Sequence, residues 1–173
     1  MKYFKKITGE RIYLSPMNLE DAAIYASWLN DPDVSVGLGV YQNLISLNNE
    51  QKILEELTTK GHNYAIVTND HTLIGNIGFK DINHISQTAE IGLFIGDADN
   101  RGKGYGGEAL RLIVDYGFNT LNLRNIMLKV HSDNEQAIAC YKKVGFAEFG
   151  RRSESVFVQG RFVDDVLMEI MRV

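Results

Sequence analysis

Seven consecutive residues, Arg101-Gly102-Lys103-Gly104-Tyr105-Gly106-Gly107, bring four glycines and two cations together. An apolar run from Ala89 to Ile95 precedes them and reads as a strand; residues from Glu108 to Leu121 follow and read as an amphipathic helix. Glycine permits positive φ and close approach of a ligand to the backbone. A helix start offers unpaired N–H groups and the positive end of the macrodipole. Together these make a cradle for phosphate oxygens, and Arg101 and Lys103 add charge where a phosphate needs it. Two spacings coexist in the stretch. Gly102-x-Gly104-x-x-Gly107 satisfies a dinucleotide fingerprint, and Arg101-x-x-Gly104-x-Gly106 satisfies a different phosphate pattern. Context separates them, because a Rossmann domain repeats βα units with parallel strands. Here strands with short turns precede the motif and little chain follows it. No Gly-Lys-Ser/Thr is present, which excludes a Walker loop.

A second constellation lies about thirty residues on: Asn134-x-x-Ala137-x-x-x-Tyr141-x-x-x-Gly145-Phe146. Asn134, Ile138 and Tyr141 fall at i, i+4 and i+7 and share a helical face. The two motifs together resemble the pyrophosphate loop and the second cofactor element of the GNAT superfamily of acetyl-CoA-dependent N-acetyltransferases. The opening Arg11-Ile12-Tyr13-Leu14 with Asp21, and Phe157 to Asp164 with Asp165-Val166-Leu167-Met168-Glu169, resemble the subgroup of ribosomal-protein and spermidine N-acetyltransferases. The resemblance implies acetyl-CoA as co-substrate and no metal. It implies cofactor contacts at Phe94, Ile95, Gly96, Arg101, Gly102, Lys103, Gly104, Tyr105, Gly106, Gly107, Asn134, Ala137 and Tyr141. The Asn134 amide would serve the peptide-like pantetheine arm. Tyr141 would be the general acid at the departing thiolate.

Glu90 is the matching candidate base. Along a strand it shares a face with Gly92 and Phe94, while Ala89, Ile91, Leu93 and Ile95 supply the apolar face. A carboxylate in a central strand is costly to bury. An alkyl amine with a pKa of about 10.4 must lose a proton before it attacks, and Glu90, directly or through a water, could take it. Backbone N–H groups near Phe94 to Gly96 would pair with the pantetheine and steady the carbonyl oxyanion. Transfer is then direct. Cys140, the one cysteine, has no paired histidine and reads as core. His62, His71 and His84 fall near turns, and His131, ending a strand, is a weaker alternative base. No histidine or carboxylate spacing suits a metal.

The elements that must hold these residues follow from periodicity. Strands are expected at 11–14, 64–67, 73–82, 88–96, 125–130, 149–158 and 162–172, the last two joined by a turn at Gln159-Gly160. Helices are expected from Asn18 to Asn30, from Ser46 to Lys60, from Glu108 on, and from a Ser132-x-x-Glu135 capping box to Gly145; residues 34–45 read as loop. Short connections imply antiparallel neighbours, and the helix between 88–96 and 125–130 implies a parallel pair. The outcome is one α+β domain over residues 1–173, a mixed, largely antiparallel sheet flanked by helices, matching the GNAT acyl-CoA N-acyltransferase fold. The net charge of −4 argues against nucleic acid as partner, no apolar run suits a membrane span, and the lone cysteine and charged start suggest the cytoplasm. A homodimer is compatible with these features. The acceptor, a small-molecule amine or a protein N-terminus, stays open. Trp28, Asp31, Asp33, Tyr41 and Phe157 are candidate walls of its pocket. Rival readings are a different acyl donor or oxygen acceptor, a non-catalytic acyl-CoA sensor, and a nucleotide-binding oxidoreductase.

Overall fold

Period-two apolar runs become strands in the computed structural model, which describes residues 2–173. The strands are β1 (Ile7–Thr8), β2 (Ile12–Pro16), β3 (His62–Thr68), β4 (Leu73–Asn83), β5 (Thr88–Ile95), β6 (Asn125–His131), β7 (Ala147–Val158) and β8 (Arg161–Met171). They form one open sheet in the order β1-β2-β3-β4-β5-β6-β8-β7. Every neighbouring pair is antiparallel except β5 and β6, which run parallel across the helical crossover. Alternation gives the sheet two buried faces. Ile12, Leu14, Ile66, Ile77 and Ile91 pack with Leu110, Ile113 and Ile126 on one side. Tyr13, Ala65 and Val67 pack with Tyr25 and Leu54 on the other. Each fully buried aliphatic side chain contributes roughly 1.5–3 kcal/mol.

Helices α4 (Tyr105–Asn119) and α5 (Glu135–Val144) cover the first face; α1 (Ala22–Leu29), α2 (Pro32–Ser35) and α3 (Leu47–Thr59) serve the second. Ser46 caps α3 by accepting the Asn49 N–H at 3.1 Å. Gly145 ends α5 at φ +114°, where its N–H and that of Phe146 reach the Tyr141 carbonyl. Gln159 and Gly160 both take positive φ, the geometry that a two-residue hairpin turn needs.

Four expectations are corrected. The two-residue β1 is too short to leave a periodic signal. The expected loop starts inside α2, a single turn that begins at Pro32, is capped by Asp31 and takes in Val34 and Ser35. The helix after the glycine motif begins at Tyr105, so Gly106 and Gly107 lie inside it. Their missing side chains let α4 approach Leu93, Ile95 and Cys140, which outweighs poor helix propensity. The Ser132-x-x-Glu135 box does not form: Asn134 is the cap of α5, its Oδ1 accepting the Ala137 N–H at 3.1 Å.

Candidate active site

The parallel pairing of β5 and β6 is brief. It runs from Thr88–Asn125 to Glu90–Met127 and then stops, although both strands continue for four or more residues. Beyond Glu90 the two strands part. Gly96 donates to the Ile74 carbonyl at 2.9 Å, so alternation along the antiparallel ladder turns Phe94 and Gly96 toward β4. Leu93 and Ile95 therefore present their main-chain groups to the opening. This corrects the expectation for Phe94 and Gly96, whose main-chain groups face β4, the Gly96 N–H being already bonded; Ile95 keeps a main-chain donor aimed at the gap.

The glycine loop closes one end of that opening. Gly102 and Gly104 adopt φ +72° and +85°. Gly104 is the N-cap of α4, and the first helical N–H with a partner is that of Glu108, which returns to the Gly104 carbonyl at 3.1 Å. The N–H groups of Tyr105, Gly106 and Gly107 precede it in a fifteen-residue helix. A Cβ on Gly104 would meet Arg11 and one on Gly107 would meet Cys140. The free N–H groups, positive φ and bare Cα atoms suit a pyrophosphate, with Lys103 exposed beside them.

A long-range tie fixes the loop. Glu108 accepts the backbone N–H of Arg11 at 2.8 Å and of Ile12 at 3.3 Å, and pairs with Arg11 Nε at 2.9 Å. Arg11 in turn donates to the Lys103 carbonyl at 2.9 Å and lies over the Tyr105 ring. Burial alone would raise the Glu108 carboxyl, but these N–H donors outweigh it and hold the group below its ordinary value. In an amphipathic helix, with Arg111 and Asp115 at ion-pairing spacing, Glu108 has the pattern of a surface residue. It is instead buried, bonded to a strand almost a hundred residues away, and no local pattern signals that. Two surface cavities, about 320 and 490 Å³, flank this Arg11 side of α4.

Tyr141 and Glu90 stand on opposite faces of the sheet. Tyr141 packs on the α4–α5 core with its ring 6.3 Å from Phe146. Burial, with Cys140 adding to it, pushes its phenol up to about 12. Its hydroxyl makes no hydrogen bond to protein among the described residues. Ala137 and Asn134 lie at the other end of the same helix, Ala137 against the core and Asn134 used as cap through Oδ1. Glu90 is half-buried on the far face, directly across from Lys80. The Lys80 stem lies over Gly92, where a side chain would displace it. Among the described residues the Glu90 carboxylate has no hydrogen bond or ion pair.

The other candidates disperse. The Cys140 thiol is pushed up by burial, which lowers its thiolate fraction. His131 is buried on the Glu90 face, directly across from Asp165 on β8 and against Gly39; His62, His71 and His84 lie elsewhere. Trp28 packs edge-on against Tyr25 and Phe94, while Tyr41 and Phe157 are exposed, Phe157 beside Phe162. Arg101 is held by Asp31, Asp33 and the Gly96 carbonyl. Among the described residues no cluster suits a metal and no helix is long and apolar enough to cross a membrane.

A protein-family profile described as "Acetyltransferase (GNAT) domain" matches residues 11–147. An uncharacterized N-acetyltransferase, p20, of Bacillus licheniformis is 27% identical over 168 residues, covering 94% of both chains. A spermidine N(1)-acetyltransferase of Vibrio cholerae is 32% identical over 125 residues, 69% of this chain and 72% of that one. The fold is shared with the crystal structure of a V. cholerae spermidine N-acetyltransferase in complex with CoA and spermine. That likeness has a TM-score of 0.86 at 24% identity and covers 94% of this chain and 96% of that one. The chain belongs to the GNAT acetyltransferase family. It is an N-acetyltransferase, with acetyl-CoA as its co-substrate.

Proposed function

We propose that this chain transfers an acetyl group directly from acetyl-CoA to the primary amine of a small molecule, both substrates being bound together. The observation that carries this reading is the parting of β5 and β6 just past Glu90, with the glycine cradle and Tyr141 on one face and an unpaired carboxylate on the other. Acetyl-CoA enters from the α4–α5 face. The backbone N–H groups of residues 102–107 take the pyrophosphate, Asn134 Nδ2 and the main chain of Leu93 and Ile95 take the pantetheine, and the amine meets the thioester through the gap.

Glu90, directly or through a water, accepts the ammonium proton and frees the nitrogen lone pair. The nitrogen attacks the thioester carbonyl, the new C–N bond forms, and the Ile95 N–H faces the developing oxyanion. The C–S bond then breaks and the electron pair leaves on sulfur. A phenol near 12 lies well above a thiol near 8.5, so full proton transfer from Tyr141 is uphill. Tyr141 therefore serves the sulfur mainly as a hydrogen-bond donor, and the proton released by the attacking amine neutralises the thiolate. Cys140 has no role, since its thiol is raised and it abuts Gly107.

Relatives of this chain include spermidine N(1)-acetyltransferases of Escherichia coli and Vibrio cholerae, which puts spermidine first among acceptors to try. The test is a panel of spermidine, an amino sugar, an aminoglycoside and a peptide N-terminus with acetyl-CoA, followed by thiol release and product mass. Acetylated small amine supports the proposal. Turnover of the peptide alone would move the acceptor class to protein N-termini, and thiol release with no acylated amine would refute transfer.

A further inference from the structure

Arg101 opens the glycine loop, yet its guanidinium is engaged elsewhere. Nη2 donates to the Gly96 carbonyl at 2.9 Å and to Asp31 Oδ2 at 3.1 Å, and Nη1 lies 3.7 Å from Asp33 Oδ2. Nε is buried with no acceptor among the described residues. Asp31 organises the corner between α1 and α2. Its carboxylate accepts the Asp33 N–H at 3.0 Å, and its carbonyl accepts the Val34 N–H, the Ser35 N–H and the Ser35 hydroxyl. Its own N–H donates to the Trp28 carbonyl at 3.1 Å. Gly96, the second partner, lies against the Trp28 indole so closely that a Cβ would overlap it. One cation thus joins the end of β5, the corner 28–35 and the start of the phosphate loop.

The chemistry explains why arginine stands here. The Gly96 carbonyl and the Asp31 carboxylate are both acceptors, and they repel unless a donor with several fixed N–H groups sits between them. A lysine would satisfy one of them as a point charge. We infer that Arg101 is a positioning residue, which makes the acceptor-side corner and the phosphate loop one unit, so that ordering of the loop by a bound pyrophosphate is passed to the corner. This rests on the reading above that residues 102–107 hold acetyl-CoA and that the corner borders the acceptor. It assigns the phosphate charge to Lys103 and the helix N–H groups instead of to Arg101.

The test is hydrogen exchange by mass spectrometry on the full chain, with and without coenzyme A, alongside calorimetric titration of coenzyme A. The variants are Arg101→Gln, Arg101→Lys and Asp31→Asn. Coupling between two sites is typically 5- to 150-fold, so coenzyme A should slow exchange across residues 28–36 of the unaltered chain at least about fivefold. In Arg101→Gln and Asp31→Asn that protection should vanish, while residues 102–107 stay protected and coenzyme A affinity falls less than about tenfold. Arg101→Lys should give partial protection. A loss of coenzyme A affinity beyond about tenfold in Arg101→Gln, with Asp31→Asn unaffected, would make Arg101 a phosphate ligand and overturn the inference. Should Arg101→Gln fail to fold, Asp31→Asn decides alone, because Asp31 lies outside the glycine loop. Coenzyme A binding without protection of residues 28–36 would sink this inference by itself. No coenzyme A binding at all would sink the acetyl-CoA reading and this inference with it.

Discussion

Replacing Glu108 by glutamine tests whether the phosphate loop is held by a buried carboxylate. The side chain is only 11% exposed and accepts two backbone N–H groups from the start of β2 as well as Arg11 Nε. Glutamine keeps an acceptor oxygen but removes the charge. A charge-assisted bond is worth about 1 kcal/mol more than a neutral one, so the two backbone bonds lose about 2 kcal/mol together. The Arg11 pair is nearly half exposed on the arginine side and adds only a few tenths. For a chain of this size about 2 kcal/mol lowers Tm by roughly 4–8 °C. The sign with pH follows from the depressed folded pKa. The carboxylate's contribution is full above the unfolded value, about 4.3, and fades as pH falls through the folded one. Thermal melts of wild type and variant from pH 3 to pH 8 should therefore show a full gap at neutral pH that closes in acid. A gap below about 1 °C at pH 7, or one that does not change with pH, would refute the reasoning.

Glu50 makes the opposite prediction. It is 2% exposed, with one oxygen unpartnered, and burial raises its carboxyl above the ordinary 4.5. Its burden is absent in acid and appears as pH rises through the folded pKa, so Glu50→Gln should raise Tm at neutral pH, with the gain closing as the pH falls into acid. Gly96→Ala should destabilise by about 1–3 kcal/mol in melts, because the Trp28 ring it would strike is wedged between Tyr25 and Phe94. Glu90→Gln should lower kcat, alter the acidic limb of the pH–rate profile and leave coenzyme A affinity by calorimetry unchanged, since the carboxylate lies on the face away from the loop.

Much of the fold was legible because periodicity and punctuation are local. Gly145 and Gln159-Gly160 stop their elements where the structure does, and the crossover from residues 88–96 to 125–130 dictated the parallel pair. The glycine spacing marked the cradle for the same reason: positive φ is written in residue type. What stayed hidden depends on contacts between distant segments. Glu108 looked like a solvated helix residue until β2 was laid against it, and Arg101 like a phosphate cation until Asp31 came within reach. The serine–glutamate spacing pointed to a cap at Ser132, and only the backbone path shows that Asn134 caps α5 instead. The end of the β5–β6 ladder, which creates the opening, has no residue signature.

Tyr141→Phe tests the central claim most directly, because it removes one oxygen and keeps the packing against the α4–α5 core. A hydrogen bond to a charged sulfur is worth about 1.5–3 kcal/mol, so kcat should fall roughly ten- to a hundredfold. Steady-state kinetics on the accepted amine, with calorimetry and melts on the same sample, should show that fall with acetyl-CoA affinity kept. Tm should be unchanged or slightly higher, since the phenol has no partner among the described residues to lose. A kcat within about twofold of wild type would contradict the account and return Tyr141 to the core as a packing residue.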